Sequence, residues 1–510
     1  MTTAATAAGR AVVPGPAGRA DAPVAPDRAT VPPSGPGSNG PGQSRPGPSG
    51  PVAAGRDRLL LGPAWPLTML LALYPLWWAL GLGVLIFPIM AVPMLWQLRR
   101  RHRQGTPVRL PPAFWLWLAF CGVAVAGFAV LDVDPAGTVA ATFAERITAP
   151  AYKLAQYAAL TVLLVYAGNL SPAVLSQRRL VNLLGWLFVV TVAGGLLGTF
   201  AGHFEFTSPV ELLLPDGVRS KGFVKSLVHP YAAQIMELVG DPAPRPAAPW
   251  GYTNTWGNNF CLLVVWFAVA VFGYPTRLRD RVLAVAVLGL SVVPVVHSLN
   301  RGLWIGLGAA AVYLAVRQAL AGRLRGLVAL GVVLAGLAVA LVTTPLGGVI
   351  ERRLDNGKSN GVRMFLTERA LEGFRESPVL GFGSTRSTQG GRQSIAVGES
   401  ASCERCGNFT VGGNGQLWQL LFAHGLAGTL AYFGFFGYGL WRFRRDRSAI
   451  GLAASAAIVG SFLAALWYNS LVTPLAFTFL GYVLLWRNSR FQNPSRSVEP
   501  LGHNGHQRRS

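Results

Sequence analysis

From Leu59 onward, apolar stretches of about 16 to 24 residues alternate with short polar connections, and a helix of that length crosses a hydrocarbon core. Twelve candidate spans follow, near 59–77, 80–97, 110–131, 150–168, 181–200, 257–274, 282–297, 302–317, 326–343, 414–440, 448–468 and 471–486. Pro66, Pro75, Pro88 and Pro93 interrupt the first apolar stretch, so 59–97 also reads as one span plus a re-entrant piece. The expected fold is an all-α polytopic membrane helix bundle of about 12 transmembrane helices, with 59–486 as the membrane domain. Residues 1–58, a Pro, Gly, Ala and Ser mixture, and residues 487–510 read as disordered tails. The first long apolar stretch lies behind dozens of polar residues, so the spans themselves, rather than a cleavable signal, are expected to target the chain.

Composition agrees: 51% of the 510 residues are hydrophobic and only 13% charged, against roughly 25% charged in soluble domains. That balance excludes a soluble enzyme of the usual kind. The formal charge of +23 would suggest a nucleic-acid partner if it were spread over one face. It is not. One set of alternate connections (1–58, 99–109, 169–180, 275–281, 317–325, 441–447 and 487–510) holds 28 basic residues against 6 acids, and the opposite set holds 16 against 15. The excess is therefore an orientation signal and a contact with membrane lipids, with no nucleic acid implied. A multi-pass plasma-membrane protein with both termini cytoplasmic is expected.

In that orientation two outer segments are far longer than turns, 201–256 and 344–413, and long loops of this kind are more often functional. Three stretches concentrate chemistry. In His297-Ser-Leu-Asn-Arg301-Gly-Leu-Trp-Ile-Gly306, Arg301 occupies an outer turn between two spans. Such a residue either snorkels or lines a polar cavity, and the spacing of Gly302 and Gly306 implies close helix packing around it. Residues 363–376 place Phe365, Leu366, Leu371 and Phe374 opposite Glu368, Arg369, Glu372, Arg375 and Glu376, which predicts an amphipathic helix lying at the outer membrane surface and ended by Pro378. Glu and Arg pairs on such a helix need no catalytic role. In the third stretch, Asn414, Gln416, Gln419 and His424 cluster where an outer loop enters a span, which suggests a polar pocket that His297 could also line.

The order and wording of these stretches resemble the O-antigen ligase and O-antigen polymerase superfamily of polytopic membrane glycosyltransferases. Asn300-Arg-Gly-Leu-Trp-Ile-Gly-Leu307 is similar to that family's Ser-Arg-Gly-x-Trp-x-x-Leu signature, and Arg363 with Glu376-Ser-Pro-Val-Leu-Gly-Phe-Gly383 to its outer-loop signature. Gln416-Leu-Trp-Gln-Leu-Leu through Gly425-Leu-Ala-Gly428 resembles its next span, in the wording of actinobacterial members. The resemblance covers about 280–440. It implies a glycan ligase or polymerase that moves a saccharide chain from an undecaprenyl diphosphate donor to a glycan or glycolipid acceptor at the outer leaflet, with neither metal nor other cofactor. By carry-over, Arg301 and Arg363 would hold the diphosphate. Arg386 and Arg219 are further donor-binding candidates without that support.

The family's acceptor-activating His is missing, because Asn414 and Gly415 stand at its position. His424 lies ten residues on, about 15 Å along a helix, so Glu368, Glu372 or Glu376 is considered as the base instead. Cys403 and Cys406 are placed to form a local disulfide in the outer loop, while a zinc site would need ligands that are not visible. The competing function is a transporter or flippase of a lipid-linked oligosaccharide, which twelve spans would also suit. It would be expected to show paired broken helices in two repeats, and no repeat is evident.

Overall fold

A computed structural model of the chain describes residues 62–237, 242–324, 326–328, 331–332, 335–336, 348, 358–389 and 408–492. The expectations for residues 1–58, most of span 326–343, and Cys403 and Cys406 fall outside these. The fold is mostly helical. Its helices are α1 Trp65–Ala72, α2 Tyr74–Ala79, α3 Ile86–Arg103, α4 Phe114–Ala126, α5 Phe143–Arg146, α6 Thr148–Asn169, α7 Gln177–Phe200, α8 Pro209–Leu213, α9 Asp216–Arg219 and α10 Gly222–Val228. A hairpin of β1 Ala233–Glu237 and β2 Pro242–Pro246 precedes α11 Thr253–Phe272, α12 Leu278–His297 and α13 Arg301–Ala319. Then come α14 Lys358–Glu376, the paired β3 Ser387–Gln389 and β4 Asn408–Thr410, α15 Gln416–Arg442, α16 Ala449–Ala464 and α17 Thr473–Gln492.

Five of these helices, α7, α11, α12, α13 and α15, are long and apolar enough to cross a membrane, and α16 is a shorter apolar helix. The first apolar stretch differs from two plain spans. Leu73 and Pro75 divide α1 from α2, and Gly81 at φ +81° starts the turn into α3. Proline at the start of each short helix costs no hydrogen bond there but prevents the preceding helix from running through.

Helix α17 is the hub. It packs on α6, α11 and α16, and its residues from Leu475 to Asn488 are buried almost without interruption, the pattern of a helix enclosed on all sides. Small residues admit it: Ala453, Ala454, Ala456 and Ala457 of α16 are buried, and a Cβ at Gly439 of α15 would sit 2.3 Å from the Tyr482 ring. Close approach of this kind gives dispersion contact where lipid would otherwise compete equally well. Residues 487–492, expected to belong to the C-terminal tail, instead continue α17, where Arg487 and Asn488 are buried, and the expectation for 493–510 lies outside the described residues. Similarly, 201–256 is not only loop and short helix but carries the β1–β2 hairpin.

Helix α14 also departs from a free interfacial helix. Leu366, Ala370 and Gly373 repeat at helical spacing and face inward; Ala370 packs in a cluster with Phe382, Val411 and Phe422, while a Cβ at Gly373 would meet the Phe422 ring. The lock between α14 and α15 is made of backbone. Helix α15 is broken at Gly425 (φ 56°, ψ −160°), and the segment after Pro378 fills the break: Phe382 N donates to Phe422 O at 3.0 Å, Gly383 N to Ala423 O at 2.8 Å, and Leu426 N to Pro378 O at 2.7 Å. A helix interrupted at depth must have its freed groups satisfied by protein in this way. A Cβ at Gly425 would lie 2.3 Å from Val379 O, and one at Gly383 would lie 1.9 Å from Gly127 O. Gly425→Ala and Gly383→Ala should each lower stability by about 2 kcal/mol or more through the positive φ and the clash. Gly437→Ala, with open space around it, should be neutral or raise stability by about 0.5 kcal/mol; thermal unfolding in detergent checks all three.

Candidate functional site

The tight connection between α12 and α13 builds one wall of a cavity of about 870 Å³. Ser298, Leu299 and Asn300 are buried there, and Leu299 takes φ +52°, a left-handed conformation that a leucine adopts only under restraint. The restraint comes from three directions. Ser298 O accepts from Arg245 Nε at 2.7 Å, Asn300 Nδ2 donates to Thr253 O at 3.3 Å, and the Tyr468 hydroxyl donates to Asn300 Oδ1. Gly302 permits the approach, because a Cβ there would sit 2.3 Å from Trp467 and 2.4 Å from the Tyr468 hydroxyl oxygen. The turn thus delivers Arg301, the first residue of α13, to the cavity wall.

Three more cations reach the same space. Arg245 of β2 is buried, Arg363 of α14 donates from Nη1 to Trp467 O at 2.9 Å, and Lys153 of α6 lines the cavity beside Gln419. Burial pushes the Arg363 guanidinium below its ordinary value, the nearby Tyr468 acts in the opposite sense, and the charge of Arg301 pushes it further down. No aspartate or glutamate is among the described residues that line this cavity. The entry to α15 is fixed by the same neighbourhood: Gln416 N and Leu417 N donate to Tyr468 O and Ala465 O, both at 2.9 Å, which satisfies helix-end donors that would otherwise be orphaned.

A smaller cavity of about 270 Å³ shares Lys153, Tyr252 and Gln419 with the larger one. Its lining includes the aromatic residues Tyr74, Trp78 and Trp250 together with His229. His229 Nδ1 lies 2.7 Å from Glu211 Oε2, and Nε2 lies 3.6 Å from Glu205 Oε2. Glu211 is itself buried and ordered by Ser208, whose hydroxyl accepts from Glu211 N.

Of the residues singled out in the sequence, the structure brings Arg301, Arg363 and Gln419 into this space. Asn414 and Gln416 are buried beside it but not in its lining: Asn414 Nδ2 donates to Thr367 Oγ1 at 2.7 Å and Arg363 O at 3.3 Å, and Gln416 Oε1 accepts from Ser470 N at 2.9 Å. They hold the wall rather than form it. His424 is buried edge-on to Phe120, ring centroids 5.6 Å apart, and His297 is exposed at the end of α12; neither lines either cavity.

Glu368 and Glu372 are also outside, for a helical reason. They follow Arg363 by five and nine residues, about 140° and 180° around α14, so Glu368 is exposed and Glu372 pairs with Arg369 at 2.8 Å. Arg219 is an exposed partner of Asp216 at 2.6 Å. Arg386 turns away into a cage of carbonyls, donating from Nη2 to Phe382 O at 3.0 Å, Leu131 O at 3.1 Å and Val133 O at 3.2 Å. Burial, with Arg146 nearby and against the pull of Asp134, brings it down to about 10. Its neighbour Thr385, not Arg386, lines the cavity.

Lys153, Arg245, Tyr468 and His229 went unmarked in the sequence. Arg245 is the sole charged residue between Pro242 and Trp256, and Lys153 is one of four lysines in the chain; a charge isolated among apolar or proline-rich neighbours was the available signal. Among the described residues no group of three or more His, Cys, Asp or Glu could hold a metal ion. Comparison of the sequence with protein-family models finds no match, and comparison with curated proteins finds none either.

Like charges about 8 Å apart at an effective dielectric of about 20 repel by roughly 2 kcal/mol, so gathering the Lys153 ammonium beside the arginines works against stability. Lys153→Gln should therefore leave the protein equally stable or raise its unfolding midpoint. Thermal unfolding in detergent measures the effect.

Proposed function

We propose that the chain is an integral membrane glycan ligase or polymerase of the O-antigen ligase type, transferring a saccharide chain from an undecaprenyl diphosphate donor to a glycan acceptor at the outer leaflet. The observation that carries the reading is the convergence of Lys153, Arg245, Arg301 and Arg363 on one cavity whose described lining contains no carboxylate. A diphosphate is the group such a cavity fits: compact, multiply negative and able to accept from several guanidinium forks at once. The resemblance of the Arg301 and Arg363 stretches to the family signatures supports the same assignment.

In this mechanism the acceptor hydroxyl oxygen attacks the anomeric carbon of the donor, and the bond from that carbon to the diphosphate oxygen breaks. The bonding electron pair leaves with the diphosphate. Cations fixed in the cavity wall, which need no reorganisation as charge develops on the diphosphate, lower the barrier; one such donor contributes about 10²- to 10³-fold. The acceptor proton passes to a base. In this reading His229 is the base: it lines the adjoining cavity, and Glu211 Oε2, 2.7 Å from Nδ1, orients its ring.

The test is glycan transfer by purified protein from an undecaprenyl diphosphate oligosaccharide. Arg301→Ala and Arg363→Ala should each reduce transfer at least about 100-fold at equal expression, and His229→Gln should reduce turnover more than donor binding. Movement of the lipid-linked donor across proteoliposomes, without transfer to any acceptor tried, would replace the transferase with a flippase.

A further inference from the structure

Remote from the cavity, at the other end of α6, a second group of cations is gathered. Asn169 follows Lys153 by sixteen residues, about 24 Å along the helix. Four arginines from three segments meet there: Arg101 of α3, Arg109 of the following connection, and Arg487 and Arg490 of α17. Arg101 Nη1 donates to Asn169 O at 2.5 Å, Arg490 Nη1 donates to Gly168 O at 3.1 Å, and Arg487 Nη2 donates to Leu175 O. The Asn169 side chain joins Arg109 to the group, accepting from Arg109 N at 2.9 Å and donating to Arg109 O at 2.8 Å. Electrostatically, Arg490 is acted on by both Arg109 and Arg101, and Arg487 by Arg490.

Capping of the α6 C-terminus explains part of this arrangement, since arginine side chains commonly bond the last carbonyls of a helix. It does not explain the whole. A helix C-terminus carries about half a negative charge, whereas four guanidiniums converge here, and none of the four forms a salt bridge with a carboxylate among the described residues. Hydrogen-bond accounting leaves the same remainder. Arg487 is fully buried, yet its Nε and Nη1 have no partner among the described residues, and Nε of Arg490 has none either. A buried charged donor left unsatisfied costs more than a neutral one. Arg490 is also held in place from both sides, with its guanidinium 5.3 Å from the Trp486 ring centroid and 5.2 Å from that of Phe491.

We propose that this end of the bundle is a binding site for a phosphate-bearing anion, with Arg101, Arg109 and Arg490 making the surface contacts and Arg487 completing the charge from behind. The anion neutralises the cluster and ties α3, α6 and α17 together. Because all four arginines belong to the strongly basic set of connections, the same chemistry is available from an acidic phospholipid headgroup or from dissolved phosphate, and the two are separable by experiment.

Full-length protein, purified in detergent and stripped of lipid, is titrated with phosphatidylglycerol, with phosphatidylcholine or with inorganic phosphate, and its thermal unfolding midpoint is recorded. Phosphatidylglycerol should raise the midpoint, and phosphatidylcholine, whose headgroup is neutral overall, should not. Arg109→Gln and Arg490→Gln, side chains that are not fully buried and whose loss need not prevent folding, should each shift the titration at least about tenfold. Arg442→Gln with Arg445→Gln, at a separate cavity beside Asp446, should leave it unchanged. A variant-sensitive response to inorganic phosphate alone would assign the site to dissolved phosphate rather than lipid. Absence of any response to the anionic probes, or an equal response in wild type and the Arg109 and Arg490 variants, would overturn the proposal. None of these outcomes depends on glycan transfer.

Discussion

Repulsion among Lys153, Arg245, Arg301 and Arg363 is the constraint to which the rest of the architecture answers. Left to themselves, these side chains would swing toward water, and a bundle of apolar helices gives no reason to gather them. What gathers them is backbone held from elsewhere. The Ser298–Asn300 turn is pinned by Arg245, Thr253 and Tyr468, so Arg301 is presented by a connection with no freedom to withdraw. Arg363 is fixed by the Trp467 carbonyl and by Asn414, which bonds its main chain. Two of the three guanidiniums, those of Arg245 and Arg363, are thus each anchored by a donation to a main-chain carbonyl.

The glycines explain how separate segments come close enough to do this. Gly302 lets α13 meet Trp467 and Tyr468, Gly415 lets the entry of α15 meet the carbonyls of Ala465 and Leu466, and the Gly383–Gly425 region lets the segment after α14 enter the break in α15. Each removes a side chain where backbone must touch backbone or ring. Because lipid provides no hydrophobic drive between helices, these contacts and the small-residue face of α16 carry the cohesion that a water-exposed core would obtain from burial.

Much of the helical layout was legible in the sequence because span length and apolar content are one-dimensional properties; α6, α7, α11, α12, α13 and α15 lie within a few residues of their expected positions. The break at Leu73 was less so, since proline marks a possible interruption without saying which turn it ends. For the site, Arg301 and Arg363 could be read from local wording, but Lys153 and Arg245 could not, because their partners are far away in sequence. The carboxylates of α14 misled for a related reason. Glu368 and Glu372 share a helix with Arg363, yet helical rotation carries them to another face, and only the packing of Leu366 and Ala370 decides which face is inside. Arg386 looked like a ligand by charge alone and proved to be a clamp on the carbonyls of Leu131 and Val133.

The central claim is that four cations form one diphosphate site. Its most direct measurement is equilibrium binding of undecaprenyl diphosphate to the protein in nanodiscs across a series of salt concentrations, beside undecaprenol as the uncharged comparison. Affinity for the diphosphate should exceed that for the alcohol at least tenfold, fall as salt rises, and drop by about tenfold or more in Arg245→Gln as in Arg363→Gln, since each removes a charged hydrogen-bond donor. Equal binding of diphosphate and alcohol, or diphosphate affinity indifferent to both substitutions, would contradict it.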